Sequence, residues 1–164
     1  VRAGNVIGGG DWSRDRLVPD IIRSLTKFQP INLRNPKSTR PWQHVLEPLS
    51  GYILLAKKLY TQPKKYSGAW NFGPGNNDNI SVENVARKFV HHFGFGKIII
   101  NKQSNFGHEA ALLQLNCDKA KRILGWRSRW STSETIKKVA EWYKFDQTKK
   151  IEITINQIAE YYGQ

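Results

Sequence analysis

Apolar positions recur along the chain at two spacings, and their alternation with turn-forming residues lays out a series of strands and helices. The first element is a strand-like run from Val1 to Gly8, which leads into the turn Gly8 Gly9 Gly10 Asp11. Val18, Ile21, Ile22 and Leu25 then fall at helical spacing, and Pro19 suits a first helical turn, where its missing N–H costs nothing. A short strand is predicted over Ile31 to Leu33, closed by the turn-prone pair Asn35 Pro36. From Val45 to Tyr60, Val45, Leu49, Tyr52, Ile53, Ala56, Leu59 and Tyr60 keep the period of a helix buried on a broad face. Lys57 and Lys58 at its end suit the negative pole of the helix dipole.

Ala69 to Phe72 reads as a strand and Gly73 to Asn77 as a loop. Ser81 is placed to cap a helix whose stripe is Val82, Val85, Ala86, Phe89, Val90 and Phe93, and Lys97 to Ile100 reads as a strand. Asp118 is expected to cap a short helix that stops at Gly125 Trp126. Ser131 and Glu134, three apart, predict a capping box for a helix carrying Ile136, Val139, Ala140 and Tyr143. The tail from Ile151 to Tyr162 fits strand or helix. Strands alternating with helices define an α/β class, and no repeat or linker divides the 164 residues.

Composition narrows the picture. Apolar residues make up 39%, with 6 Trp, 6 Tyr and 7 Phe, enough to bury a core and to exclude disorder. No apolar run approaches the roughly 18 residues that span a bilayer. The lone Cys117 can form neither an internal disulfide nor a zinc-ribbon pair, which fits a reducing compartment and makes the cytoplasm the expected location. His44, His91, His92 and His108 show no metal-ligand spacing, so no metal site is expected. With no methionine and a strand as its first element, the chain is read as a fragment of a longer protein.

The 26 Lys and Arg against 13 Asp and Glu leave a charge of +13, which raises a nucleic-acid-binding module as an alternative from a different class. Lys57 Lys58, Lys64 Lys65, Lys137 Lys138 and Lys149 Lys150 are dispersed doublets, however, and no helix-turn-helix or RNA-recognition signature accompanies them.

Two glycine clusters invite a phosphate-loop reading and fail it. Gly8 Gly9 Gly10 lacks the third glycine of G-x-G-x-x-G because position 13 is Ser, and Gly94 Phe95 Gly96 Lys97 leads into a strand rather than a helix. No G-x-S-x-G nucleophile elbow occurs. What remains is a set of polar residues at strand ends and loops: Asn5, Arg16, Asn32, Arg34, Arg40, Asn71, Asn79 and His108. Arg40 stands out because Pro41 and Trp42 fix the chain beside it while the Arg projects. A guanidinium held rigidly is a bidentate receptor for phosphate oxygens, or else one half of a surface salt bridge; the residues alone leave both open.

Longer runs carry a resemblance. Arg2 Ala3 Gly4 Asn5 Val6 Ile7 Gly8 Gly9 Gly10 Asp11 Trp12, Asp15 to Ile21 and Arg40 Pro41 Trp42 Gln43 His44 Val45 Leu46 Glu47 Pro48 Leu49 resemble the C-terminal half of sugar-nucleotide 4,6-dehydratases of the extended short-chain dehydrogenase/reductase family. The likeness continues through Trp70 to Pro74, Gly107 to Ala110, Leu124 Gly125 Trp126 and Glu141 Trp142 Tyr143, and the R-P-W-Q-H-V run favours the branch acting on CDP-glucose.

The resemblance implies a Rossmann-type fold of which this chain is the nucleotide-sugar-binding C-terminal portion over residues 1–164, with one or more strands belonging to a missing parallel sheet. The N-terminal portion of such enzymes binds NAD and supplies a Tyr-x-x-x-Lys pair; Tyr60 and Lys64 lie in the wrong context and read as surface residues. By this implication no catalytic or cofactor-binding residue lies here, and the chain alone is expected to be inactive.

The residues that carry over are substrate-binding. Asn5 reaches the sugar and diphosphate, Arg16 and Leu17 border the nucleotide, and Ile31, Asn32 and Leu33 line the base. Arg40 binds the diphosphate, while Asn79 and His108 lie near the nucleotide. The implied reaction oxidises the hexose at C4, eliminates water across C5 and C6 and reduces C6, giving a 4-keto-6-deoxyglucose nucleotide. The implied partners are CDP-glucose and a second copy of the complete enzyme, with neither nucleic acid nor membrane.

Overall fold

The computed structural model describes residues 1–75, 79–100 and 113–164. The opening run divides into β1 (Arg2–Ala3) and β2 (Asn5–Ile7), because its two halves pair with different partners. β1 lies parallel to β6 (Asn71–Phe72), and β2 lies parallel to β5 (Trp42–His44) with Asn5 opposite Trp42 and Ile7 opposite His44. β3 (Ile31–Leu33) runs parallel to β8 (Ile98–Ile100), and β4 (Thr39–Arg40) pairs antiparallel with β7 (Ile80–Ser81). Three parallel pairs need crossovers, and helices supply them.

The helices are α1 (Leu17–Thr26), α2 (Leu46–Thr61), the short α3 (Pro63–Tyr66), α4 (Val82–Phe93), α5 (Thr132–Lys144) and α6 (Lys150–Tyr162). The tail that fitted either period is therefore helix. Ser81 Oγ accepts the Asn84 N–H at 3.2 Å, as its position predicts. Ser131 Oγ likewise accepts the Glu134 N–H at 3.1 Å, while the Glu134 carboxylate lies 3.7 Å from Lys138. The expectation for Asp118 is corrected: Asn116 Oδ1 takes the Asp118 N–H at 2.9 Å, and the turn that follows, Ala120–Leu124, is π-helical.

Two apolar clusters hold these elements. The larger gathers the buried stripes of α1, α4 and α5 against β3, with Ile21, Ile22, Leu25, Phe89, Ile136 and Val139 fully enclosed. The smaller sits beneath α2 around Trp70, Phe72 and Trp126.

A buried polar seam runs between them from Arg40 to Glu47. The expectation that Arg40 projects is corrected, since pairing of β4 with β7 leaves it only 8% exposed. Gln43 Nε2 donates to the Phe72 carbonyl at 2.9 Å, and the same oxygen accepts the Gly4 N–H at 3.1 Å, tying the β1–β6 pair to the β2–β5 pair. Gly4 is required there: a Cβ would stand 2.4 Å from the Pro41 carbonyl oxygen.

Glu47, fully buried, closes the seam. Its carboxylate accepts the N–H groups of Arg129 at 3.1 Å and Trp130 at 2.8 Å and the Tyr161 hydroxyl at 2.8 Å, so it fastens the loop before α5 and the end of α6 onto α2. Glu47→Gln puts an N–H₂ group among donors and leaves buried hydrogen bonds unmade. Urea unfolding is expected to show a loss of about 2–3 kcal/mol. An unchanged midpoint would mean that this cluster does not fasten the helices.

Candidate functional site

A cleft of about 1100 Å³ opens between β2, α1 and β3. It brings together Asn5, Arg16, Leu17, Ile31, Asn32, Leu33 and Arg40, seven of the positions singled out in the sequence. The fold explains the convergence. Asn5 stands at the start of β2, Arg16 and Leu17 enter the cleft where α1 begins, and β3 turns its exposed Asn32 outward between buried Ile31 and Leu33. Arg40 arrives from β4, two residues before the strand that pairs with β2. Asn79 is not in the lining; it is half-buried immediately before β7, whose Ile80 lies opposite Arg40. His108 lies outside the described residues.

The walls are cationic. Arg14, Arg16, Arg23, Lys27, Arg34 and Arg40 line the cleft against Asp11, Asp15 and Asp20. Arg14, Arg23 and Lys27 were missed in the sequence. Arg23 lies on the polar face of α1, opposite the apolar stripe that revealed the helix, and Lys27 follows four residues on at its C-cap; that spacing was the available signal.

Ion pairs order the mouth: Arg16 meets Asp11 at 3.1 Å and Arg34 meets Asp15 at 3.2 Å. Arg23 pairs with Asp20 and donates to the carbonyls of Trp12 at 2.8 Å and Ser13 at 3.0 Å. Burial works to raise the Asp11 carboxyl, but hydrogen bonds from Ser13 and the Arg16 charge outweigh it and hold the group below its ordinary value. Arg40 Nη1 donates to the Thr39 carbonyl at 2.8 Å, which fixes the plane of a buried guanidinium. Rigid, cation-rich walls around an apolar strand suit a ligand that has two phosphates at one end and a flat heterocycle at the other.

Among the described residues no group of three or more His, Cys, Asp or Glu could hold a metal ion, and no helix is long and apolar enough to cross a membrane.

The fold places the chain in a class. It superposes on dTDP-glucose 4,6-dehydratase from Bacillus anthracis, solved in complex with NAD, with a TM-score of 0.71 and 17% identity, covering 93% of this chain and 46% of that one. UDP-glucose-4-epimerase from Stenotrophomonas maltophila, with bound NAD and formylated UDP-arabinopyranose, gives a TM-score of 0.74 at 19% identity over 87% of this chain and 46% of that one. The architecture is therefore part of a Rossmann-type extended short-chain dehydrogenase/reductase fold.

The particular likeness is in the sequence. Over 144 residues, 88% of this chain, it is 51% identical to CDP-glucose 4,6-dehydratase from Salmonella typhimurium, and it spans 40% of that relative's length. No family model matches the chain. The resemblance drawn from the residues agrees with both findings.

His44, in the seam behind the cleft, gives a pH signature. Burial foremost, and then the Lys138 charge, push its pKa from 6.5 down to about 4, and its Nδ1 accepts the Leu46 N–H at 3.3 Å. An unfolded chain takes up this proton near pH 6.5 while the folded one refuses it until about 4, so stability is lost as pH falls through that window. The full loss is ~3 kcal/mol. Burial raises the Glu47 carboxyl and acts in the opposite sense, so the comparison is between slopes. His44→Asn, which keeps an acceptor for Leu46, is expected to flatten the fall in urea midpoint between pH 7 and 4.5; parallel slopes would contradict the assignment.

Proposed function

We propose that this chain is the nucleotide-sugar-binding portion, over residues 1–164, of an enzyme that converts CDP-glucose to CDP-4-keto-6-deoxyglucose. The overall reaction oxidises C4, removes water across C5 and C6 and reduces C6. The observation that carries the proposal is the convergence of Asn5, Arg16, Leu17, the strand 31–33 and Arg40 on one cationic cleft, in a chain 51% identical to CDP-glucose 4,6-dehydratase over most of its length. Because the chain spans 40% of that relative, turnover is proposed for the complete enzyme, and the chain alone is proposed to bind without catalysing.

In this proposal Arg40 and Arg16 neutralise the diphosphate, Asn5 supplies an amide at the sugar end, and Ile31 to Leu33 form the base wall. Arg40 suits the task because its guanidinium is buried and held in plane, so little freedom is lost when two phosphate oxygens engage it. Asn79 contributes from behind Arg40, where β7 backs β4, and His108 is proposed as a further nucleotide contact.

NAD is present in the solved dehydratase and epimerase relatives and is proposed as the cofactor of the complete enzyme. The glycine turn after β2 does not fit it. Gly9 is packed against the Trp142 indole, and α1 begins only at Leu17, so no helix N-terminus follows the turn closely enough to receive a pyrophosphate. The seat for NAD is accordingly proposed outside this chain. The complete enzyme is proposed to be a cytoplasmic homodimer; the buried, unpaired Cys117 fits a reducing compartment.

The test is binding of CDP, UDP, dTDP and GDP to the chain, with Arg40→Lys and Arg40→Ala beside it. Pyrimidine diphosphates are expected to bind more tightly than GDP. Arg40→Lys keeps the charge but loses the planar fork and is expected to weaken CDP by about tenfold, with Arg40→Ala weaker still. Equal affinity for all four nucleotides, or an Arg40→Ala chain that binds CDP as well as the unaltered one, would reject the proposal.

A further inference from the structure

We propose that Trp142, which does not line the cleft, is a positioning residue that fixes the 8–16 loop and thereby sets the affinity of the cleft for a nucleoside diphosphate. The inference rests on the cleft being the nucleotide site. The loop joins β2 to α1 and carries Asp11, Arg14, Asp15 and Arg16 into the lining. Nearly all of these side chains are exposed, so their placement depends on what holds the loop from behind.

That support comes from α5. A Cβ added to Gly9 would stand 2.1 Å from Trp142 Cδ2, so only the bare glycine lets the loop settle against the indole. The φ of Gly9 is outside the left-handed region, which means that alanine there lacks room and nothing else. Beside it, Tyr143 donates its hydroxyl to the Asp11 carbonyl at 2.7 Å and meets Trp12 edge-to-face at 5.2 Å.

Trp142 is itself oriented from the far side. Its Nε1 donates to Thr154 Oγ1 on α6 at 2.9 Å, and Lys150 Nζ lies 4.4 Å from the ring centroid. The seat of the arginine-bearing loop is thus fixed by the C-terminal helices, at residues that are not themselves part of the cleft lining. A loop already ordered in the free chain loses less freedom when a ligand binds, so loosening this seat should appear as weaker binding with the direct contacts intact.

The experiment titrates the 164-residue chain with CDP by calorimetry and follows amide exchange of residues 8–16, using exchange of α4 as the check on folding. Gly9→Ala and Trp142→Leu are each expected to weaken CDP by about tenfold and to speed exchange in the loop, while Thr154→Val weakens CDP by about threefold. The combination of Gly9→Ala with Trp142→Leu restores room for the added methyl. It is expected to bind CDP more tightly than Gly9→Ala alone and to bring loop exchange back toward that of the unaltered chain. Strict additivity of the two changes, or unaltered affinity in Gly9→Ala and Thr154→Val, would overturn the inference. Should the unaltered chain bind no CDP, the nucleotide assignment fails, and exchange decides the positioning role: a loop unchanged in Gly9→Ala and Thr154→Val would overturn it as well. Thr154→Val removes only the exposed hydrogen bonds of one hydroxyl, to Trp142 and to the Lys150 carbonyl, which keeps the claim testable if Trp142→Leu unfolds.

Discussion

Between Arg40 and Glu47 an arginine, a glutamine, a histidine and a glutamate are all buried, and polar groups removed from water must find partners within the protein. The seam answers by reaching in several directions. Gln43 bonds to the end of β6, Thr132 Oγ1 donates to the Trp42 carbonyl at 3.2 Å, and Glu47 gathers Arg129, Trp130 and Tyr161. Trp42 Nε1, Gln43 Oε1 and His44 Nε2 are buried without a hydrogen-bond partner among the described residues, so the seam carries a cost that the surrounding clusters offset. Such a segment has one workable register against β2, β6 and α5, because a slip would strand several more buried groups at once.

That register places the cleft. With Asn5 opposite Trp42, the residue before Pro41 stands beside the start of β2, and Arg40 faces the space that α1 and β3 enclose. The guanidinium is therefore held by the architecture of the whole chain. The other cations of the cleft sit on a loop and on the open face of α1, where their ion pairs with Asp11, Asp15 and Asp20 keep them near one another. A ligand with two phosphates would meet one fixed cation and several adjustable ones.

Much of this was legible in the residues. Helices α4 and α5 follow their apolar stripes and serine caps, because local spacing and capping chemistry act within a few residues of sequence. α2 is a helix where its period predicts one, but the predicted buried face is corrected: Leu49, Ile53, Ala56 and Tyr60 are exposed, and Glu47, Pro48, Gly51 and Leu55 face inward. The division of the opening run into β1 and β2, and the strand at Trp42 to His44, were not visible. Both depend on which distant strand each half pairs with, and a three-residue strand buried on both sides shows no alternation. At the site, Arg40 was legible because Pro41 and Trp42 mark a constrained backbone, although its burial was not. Arg14 and Arg23 escaped because an arginine on a loop or a helix's polar face looks the same in sequence whether it meets solvent or a cleft. Trp142 showed only within the Glu141 Trp142 Tyr143 run of the resemblance, outside the predicted stripe; its contact with Gly9 joins residues far apart in the chain.

The central claim is that the seam presents Arg40 to a diphosphate in the cleft between α1 and β3. A crystal structure of the chain with CDP tests it most directly. The account predicts the diphosphate within hydrogen-bonding reach of the Arg40 guanidinium and the cytosine against Ile31 to Leu33, with the Gln43 and Glu47 hydrogen bonds unchanged. CDP bound elsewhere on the chain, or in the cleft with its phosphates turned away from Arg40, would contradict it.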